Sequence, residues 1–552
     1  MYLKHVMTLI VLAAVMLPSA FVYAGGMVSV CDEAHLRAAL TGGGTVTFSC
    51  SGTIVLASQV RIANNTTIDG AGQAVTLSGN HAVRVFVVNS GVTFHLNHLT
   101  IAQGYVAEAN GGGLLNNGGV VSVNNSTFTD NSAYYHGGAI HNNGGAVTVS
   151  NSLFSNNSAS EDGGGWGGAI RNDNGTLTVS NSAFSGNRAS DGGGGGISNT
   201  GVALTINSST FANNSASAGG SINNSGGLLT INSSTFASNS ASNLGGGFGG
   251  GIRNYSGATV RVSNSTFSAN SASSGGGIFN TGTVTVSGSI FADNIASAEG
   301  GGWGGGIYNY DSSIALSNTT FSGNSAKDEG GGLYNYDGSI TLSNSTFFTN
   351  SVTNNAGGGI YSNGFHGMLN VNNSTFAANS APQGGGLYSG DNDTVVVINS
   401  TFSDNSASNL GGGLFNGSGL MTLKNTLVAA SLTGGNCYGS ITDGSGNLSY
   451  PDASCPGINQ DPRLDLLLNN GGSTATMALL EGSAALDAAN DAICAAAPIN
   501  NLDQRGVARP QGLHCDIGAY EAGPAGPSTP TVTPTPITPR VTRVQFLPII
   551  TR

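Results

Sequence analysis

The side chains that could do chemistry are few in this 552-residue chain, and they gather in three places. Asp311 and Asp337 each stand four residues after an apolar residue, Ile307 and Leu333, at one position of a repeat. Stacked on adjacent turns, two such carboxylates repel unless a proton or cation lies between them. Ca2+ is the one cofactor they suggest, but two carboxylates are few for an ion that takes about six to eight oxygens, so the pair reads first as solvated turn acids. The densest charge cluster is Asp503, Arg505, Arg509, Asp516 and Glu521. It lies beside Cys494 and Cys515, after the last repeat, and suits a terminal cap locked by Arg-carboxylate pairs. Glycoside hydrolysis needs two positioned carboxylates, and lyase chemistry needs a base with a cation for the enolate. Neither set is evident, nor is a nucleophile elbow, zinc motif, P-loop or dinucleotide fingerprint. No catalytic residue and no metal ligand is therefore assigned.

The third place is aromatic. Phe279, Tyr308, Tyr334, Tyr361, Tyr388 and Phe415 directly follow the apolar residue of six consecutive repeats, where earlier repeats carry Leu115, His141, Arg171, Ser198, Asn223 and Arg253. If the apolar residue points inward these rings point outward, and five steps of ~4.8 Å make a strip of about 24 Å. Such a strip can lie under several sugar rings, or it can simply stack along the strands. Trp166 and Trp303 each sit in Gly-Gly-Gly-Trp-Gly-Gly, with Phe248 in the same frame, in repeats lengthened to 30 or 31 residues. Glu161 and Asp162 precede the first and Glu299 the second. Folded over the glycine turns, the indoles would be buried; facing solvent, they would form an acid-flanked, sugar-binding rim to the strip.

The elements that must position these groups follow from the repeat. An FxxN unit recurs at Phe128, Phe154, Phe184, Phe211, Phe236, Phe267, Phe291, Phe321, Phe347, Phe376 and Phe402, about every 27 residues. It alternates with Gly-Gly-(Gly/Ala/Ser)-(Ile/Leu), whose last residues run from Leu114 through Ile252 to Leu414. Each repeat also holds a short alternating run such as Leu228-Leu-Thr-Ile-Asn232, a strand signal bounded by Gly and Asn. About three short strands per repeat and no helical period imply an all-β solenoid, expected as a right-handed parallel β-helix of the pectate-lyase-like kind with capped ends. The Phe column should stack in the core. The Asn of FxxN is expected in a turn, where it tolerates left-handed backbone and bonds its counterpart in the next coil. A second column runs from Asn116 through Asn335 to Ser362, Ser389 and Asn416.

Composition excludes several classes. With 16 basic against 28 acidic residues, a net charge of −12 and only three Lys, there is no nucleic-acid surface. A hydrophobic content of 39% argues against disorder, and 88 Gly argue against helical bundles. Residues 1–24 have the pattern of a signal peptide, and no later segment is long enough for a transmembrane helix. Export makes the cysteines interpretable as three local disulfides, Cys31 with Cys50, Cys437 with Cys455 and Cys494 with Cys515. Between Cys31 and Cys50, Asp32 to Leu40 reads as a short amphipathic helix over the first coil. Pro524 to Pro539 is Pro/Thr-rich and extended. The expected organisation is 1–24 signal peptide, 25–60 N-terminal cap, 61–430 β-helix, 431–523 C-terminal coils and cap, 524–543 linker and 544–552 apolar tail.

The alternation of GG(A/G)(I/L) with FxxN over roughly 97–430 resembles the repeats of the polymorphic outer-membrane protein family. That resemblance implies a β-helix displayed on a bacterial surface and acting in adhesion. The family ends in a membrane β-barrel, whereas this chain ends in a Pro/Thr stalk with a short tail. A second resemblance covers about 460–523. Asp461-Pro462, Asn470-Gly-Gly472, Gly482-Ser483 with Asp487, Asp503-Gln-Arg-Gly506, Arg509-Pro510 and Cys515-Asp-Ile-Gly-Ala-Tyr-Glu521 are similar to the choice-of-anchor Q domain, found on exported bacterial β-helix proteins with varied C-terminal attachments. Together these imply a secreted or surface protein, non-enzymatic, that presents an elongated face to a polysaccharide or to a host or neighbouring cell. The alternative is a polysaccharide lyase or glycoside hydrolase, since β-helices of this size also resemble pectate lyases and polygalacturonases.

Overall fold

The computed structural model describes residues 25–160, 164–242, 246–297 and 301–523. The expected signal peptide, linker and tail, and the acids Glu161, Asp162 and Glu299, lie outside the described residues.

The repeats form a parallel β-solenoid. One coil runs Ile222–Asn224, Leu228–Asn232, Thr235–Ala237 and Ser240–Ala241, and each of these strands pairs in parallel with its equivalent one repeat later. Stacked coils thereby build four parallel sheets of 15, 17, 16 and 12 strands in that order around the coil. Alternation decides which side chains go in: Leu229 and Ile231 are buried while Leu228 and Thr230 face out. The FxxN rings from Phe128 to Phe402 are fully buried and stack face to face, with centroids 4.4–5.1 Å apart. Glycine is required where the next turn crosses this column. A Cβ on Gly251 would lie 2.6 Å from Gly277 O and 3.1 Å from the Phe267 ring, and Gly249 holds φ +71°.

The Asn of FxxN bonds its counterpart in the next coil as expected, but it is not itself the left-handed residue of the turn. Asn157 Nδ2 donates to Asn187 Oδ1 at 2.9 Å and to Phe128 O at 3.0 Å, with the side chain wholly buried. The left-handed position is the residue before it, as at Asn156, Asn213, Ser238 and Ala269, with φ of 52–55°. Asn is chosen for its amide, which satisfies two coils at once in a dry corner.

At the N-terminus, helix α1 (Glu33–Ala39) is capped by Asp32, whose carboxylate accepts from His35 N, and it buries Leu36 in the core. Cys31–Cys50, Cys437–Cys455 and Cys494–Cys515 are all bonded as expected. The C-terminal segment covers more than the end of the solenoid. Residues 461–523 run along the outside of the 16-stranded sheet, from Phe348 and Ala377 to its last strands, where Leu479, Ala485 and Ile517 pack with Leu427 and Leu448. Gln504 Nε2 donates to Thr346 Oγ1 at 2.9 Å, Thr375 Oγ1 donates to Gln504 Oε1 at 2.7 Å, and Ala519 N donates to Thr401 Oγ1 at 2.9 Å. Met477 packs on Phe348 and Ala377. The charged cluster is therefore a lateral lock. Asp503 accepts from the Arg505 guanidinium and the Glu521 amide, and Arg509 pairs with Glu521 at 3.1 Å, both side chains fully buried. Burial pushes the Glu521 and Asp516 carboxyls up.

Candidate functional site: an aromatic ridge

The outer face of the 15-stranded sheet carries one side chain per coil immediately after the buried Ile or Leu. Register places Phe279, Tyr308, Tyr334, Tyr361, Tyr388, Phe415 and Tyr438 in one line. Their rings stack with centroids 4.6–5.1 Å apart, which adds Tyr438 to the six expected. Tyr438 lies in the last coil, after the FxxN signal has ended, so the repeat motif could not flag it.

Of the two arrangements open to the strip, this geometry is the one in which the rings stack on one another along the strands. At the ~4.8 Å coil spacing nothing fits between adjacent stacked rings, so the faces of every ring inside the column are taken by its neighbours. Phe279, Tyr308, Tyr334, Tyr361 and Phe415 are only 6–9% exposed, and Tyr388 is half-buried. What the column presents to solvent is narrow ring edges and, at its end, the exposed Tyr438. Burial pushes the Tyr308 hydroxyl up to about 12 and raises those of Tyr334 and Tyr361 as well, so all three stay un-ionised donors at neutral pH.

A second line of residues flanks the column. Phe248, Ser274, Trp303, Glu329, Ala356 and Gln383 pair one to the next on successive coils. Trp303 leans on Tyr308 and Tyr334 at 6.4 and 6.2 Å, tilted by 38° and 31°, and is half-buried. Its tilt leaves one indole face outside the stack. Glu329 follows it in register. Burial raises its carboxyl above the usual range, against hydrogen bonds from Asn355 (2.6 Å) and the Tyr361 hydroxyl. Beyond the column, Tyr310 and Tyr336 form a further stacked pair 5.5 Å apart, with Tyr310 exposed.

Toward the N-terminus the same line turns polar. Arg253 lies over Tyr255 at 4.0 Å and Phe248 at 5.1 Å and closes that end of the aromatic stack. Trp166 is half-buried against Arg171, whose Nε donates to Asp173 at 2.6 Å, while His141 Nε2 stands 3.1 Å from the same carboxylate. Burial alone would raise Asp173, but the His141 and Thr200 hydrogen bonds and the Arg171 charge hold it well below the usual carboxylate range. Asp173 Oδ1 is thus occupied by Arg171 and Thr200, while the buried Nδ1 atoms of His141 and His136 have no hydrogen-bond partner among the described residues. The sequence had placed His141 and Arg171 in this column without seeing that Asp173 joins them.

Asp311 and Asp337 are register equivalents in left-handed turns, with φ of 44° and 54°. Asp337 Oδ1 accepts from the Phe365 and His366 amides, which is turn chemistry. Among the described residues no group of three or more His, Cys, Asp or Glu is arranged to hold a metal, and no helix is long and apolar enough to cross a membrane.

Among known protein families, the Chlamydia polymorphic membrane protein repeat matches residues 125–148, 151–173 and 318–336. No curated protein and no solved structure matches the chain. Each matched stretch runs from one FxxN turn into the following Ile- or Leu-led strand, with Phe154, Asn157, Ile170 and Asn172 in the second of them. In its repeat the chain is therefore similar to the polymorphic membrane protein repeat, and that repeat is here one coil of a parallel β-solenoid.

Proposed function

We propose that this is a secreted or cell-surface β-solenoid that uses its aromatic ridge for adhesion or glycan binding, without catalysis. The observation that carries the reading is the seven-ring column with Trp303 and Glu329 in adjoining register. The indole face and the apolar ring edges offer contact to a sugar's C–H surface, and the tyrosine hydroxyls, Asn355 and Glu329 offer hydrogen bonds. The ridge is continuous over seven coils, which suits a polymeric partner better than a small molecule. Support for display outside the cell comes from the similarity of the repeat to a membrane protein family and from three disulfides, which persist in oxidising compartments. In this reading residues 461–523 are a choice-of-anchor Q-like module, and the Pro/Thr stretch after it is the stalk.

Tryptophan emission tests the ridge directly, because Trp303 is half-buried on it, with Trp166 half-buried in the polar stretch before it. A soluble quencher should reduce the emission, and a bound oligosaccharide should protect it. Emission indifferent to both would remove the indoles from any binding surface.

A further inference from the structure

The second Asn column is a one-way hydrogen-bond ladder. Asn116 Nδ2 donates to Asn142 Oδ1 at 2.8 Å, Asn142 to Asn172 at 2.7 Å, and so on to Asn309 and Asn335 at 2.9 Å. Most of these amide nitrogens also reach a turn carbonyl of their own coil, as Asn335 does to Gly338 O at 3.0 Å. The next two rungs are Ser362 and Ser389, both fully buried. Asn335 Nδ2 still donates to Ser362 Oγ at 3.1 Å, but beyond that Ser389 Oγ and Asn416 Oδ1 have no partner.

Asp393 stands in this gap. It is 0% exposed, and neither carboxyl oxygen has a hydrogen-bond partner. A Cβ on Gly367 would meet Asp393 Oδ1 at 2.1 Å, whereas one coil earlier a Cβ on Gly338 would meet Oδ1 of that coil's own ladder residue, Asn335, at 2.4 Å. The Asp393 carboxyl thus fills the space of the amide that Ser362 lacks. We infer that Asp393, in its un-ionised form, serves as the missing rung: it accepts from the Ser362 hydroxyl and donates its proton to Ser389 Oγ, which frees Ser389 to donate to Asn416 Oδ1.

The unpartnered atoms here are acceptors or hydroxyls, so one added proton satisfies all of them in the ladder's own direction. A carboxylate could take the Ser362 and Ser389 hydroxyls as donors, but it would be a buried charge and would leave Asn416 Oδ1 unpartnered. The charged groups on the neighbouring turns do not offset it. Asp337, a like charge, is the charged group that acts on it, and Asp391, another carboxylate, accepts from Ser418 Oγ at 2.5 Å. Burial accordingly pushes the Asp393 carboxyl up to about 6, with the Ser362 hydroxyl opposing.

The sign follows. With the folded value raised, the acid's contribution is complete below about pH 4, is lost as pH rises through about 6, and is flat above. The test is thermal and denaturant unfolding of the full chain from pH 4 to 8, wild type against Asp393→Asn, whose amide donates without a titrating proton. Across that window the wild-type folded population should fall relative to the variant by up to about 100-fold, the two-unit shift converted. At pH 8 the variant should be the more stable. If Asp393→Asn does not fold, Ser389→Ala, which removes the acid's acceptor, should move the wild-type transition to lower pH. A wild-type-to-variant difference independent of pH would overturn the inference. So would stabilisation of wild type, but not of Asp393→Asn, by added Na+ or Ca2+ at pH 7, because a cation would then occupy the gap.

Discussion

Replacing Phe236 with Ala isolates the column that organises the core. The ring is fully buried and stacks on Phe211 at 5.1 Å and on Phe267 at 4.7 Å, with interplanar angles of 6° and 5°. Truncation removes two stacked faces and leaves a hole that the coils cannot close, because strand hydrogen bonds fix their spacing at ~4.8 Å. The expected loss is about 3 to 5 kcal/mol. In a solenoid each coil contacts only its neighbours, so the loss should be local. Hydrogen exchange read by mass spectrometry, peptide by peptide, is therefore the suitable assay. Protection should fall in the segments around residues 211, 236 and 267 and remain unchanged near 128 and 402. Phe365→Ala is the control: this ring is 71% exposed, and its loss should cost less than about 0.5 kcal/mol. A cost below about 1 kcal/mol for Phe236→Ala, or a loss spread evenly along the chain, would refute the stacked-column account.

Arg509→Met leaves Glu521 buried without its partner and should cost about 3 to 5 kcal/mol, seen as earlier proteolytic release of residues 461–523 while the coils stay intact. Asp173 is held below its ordinary value, so its stabilisation is complete above about pH 4 and is lost as pH falls. Asp173→Asn should therefore flatten the acid limb of the unfolding curve and lower stability at pH 7. Removing the Cys494–Cys515 bridge by a double Ser substitution should loosen the same C-terminal segment by about 2 to 4 kcal/mol, with less effect on the central coils.

Much of the fold was legible because a solenoid repeats its information. The period fixed the coil, the alternation fixed which residues face inward, and the Phe and Asn columns followed. What the repeat could not show is what lies across it. The docking of 461–523 rests on contacts such as Gln504 with Thr346 and Thr375, which are more than a hundred residues apart and have no period. The aromatic column was legible as a line but not in its burial, since inward/outward phase says nothing of how closely identical rings pack at coil spacing. In the Asn ladder the substitution of Ser362 and Ser389 was visible in the sequence, while the compensating Asp393 comes from a turn whose length varies between repeats. The left-handed position was misplaced by one residue because Asn is common both there and in the ladder.

Screening the purified chain against a polysaccharide panel, with and without Ca2+, and analysing the bound polymer for cleavage tests the central claim most directly. The account predicts binding that leaves the polymer intact and weakens about tenfold or more, a change of ~1.4 kcal/mol, in Trp303→Ala. Shortened or unsaturated products would instead make the protein a hydrolase or lyase, and the absence of binding to any polymer or cell surface would leave the ridge a purely structural stack.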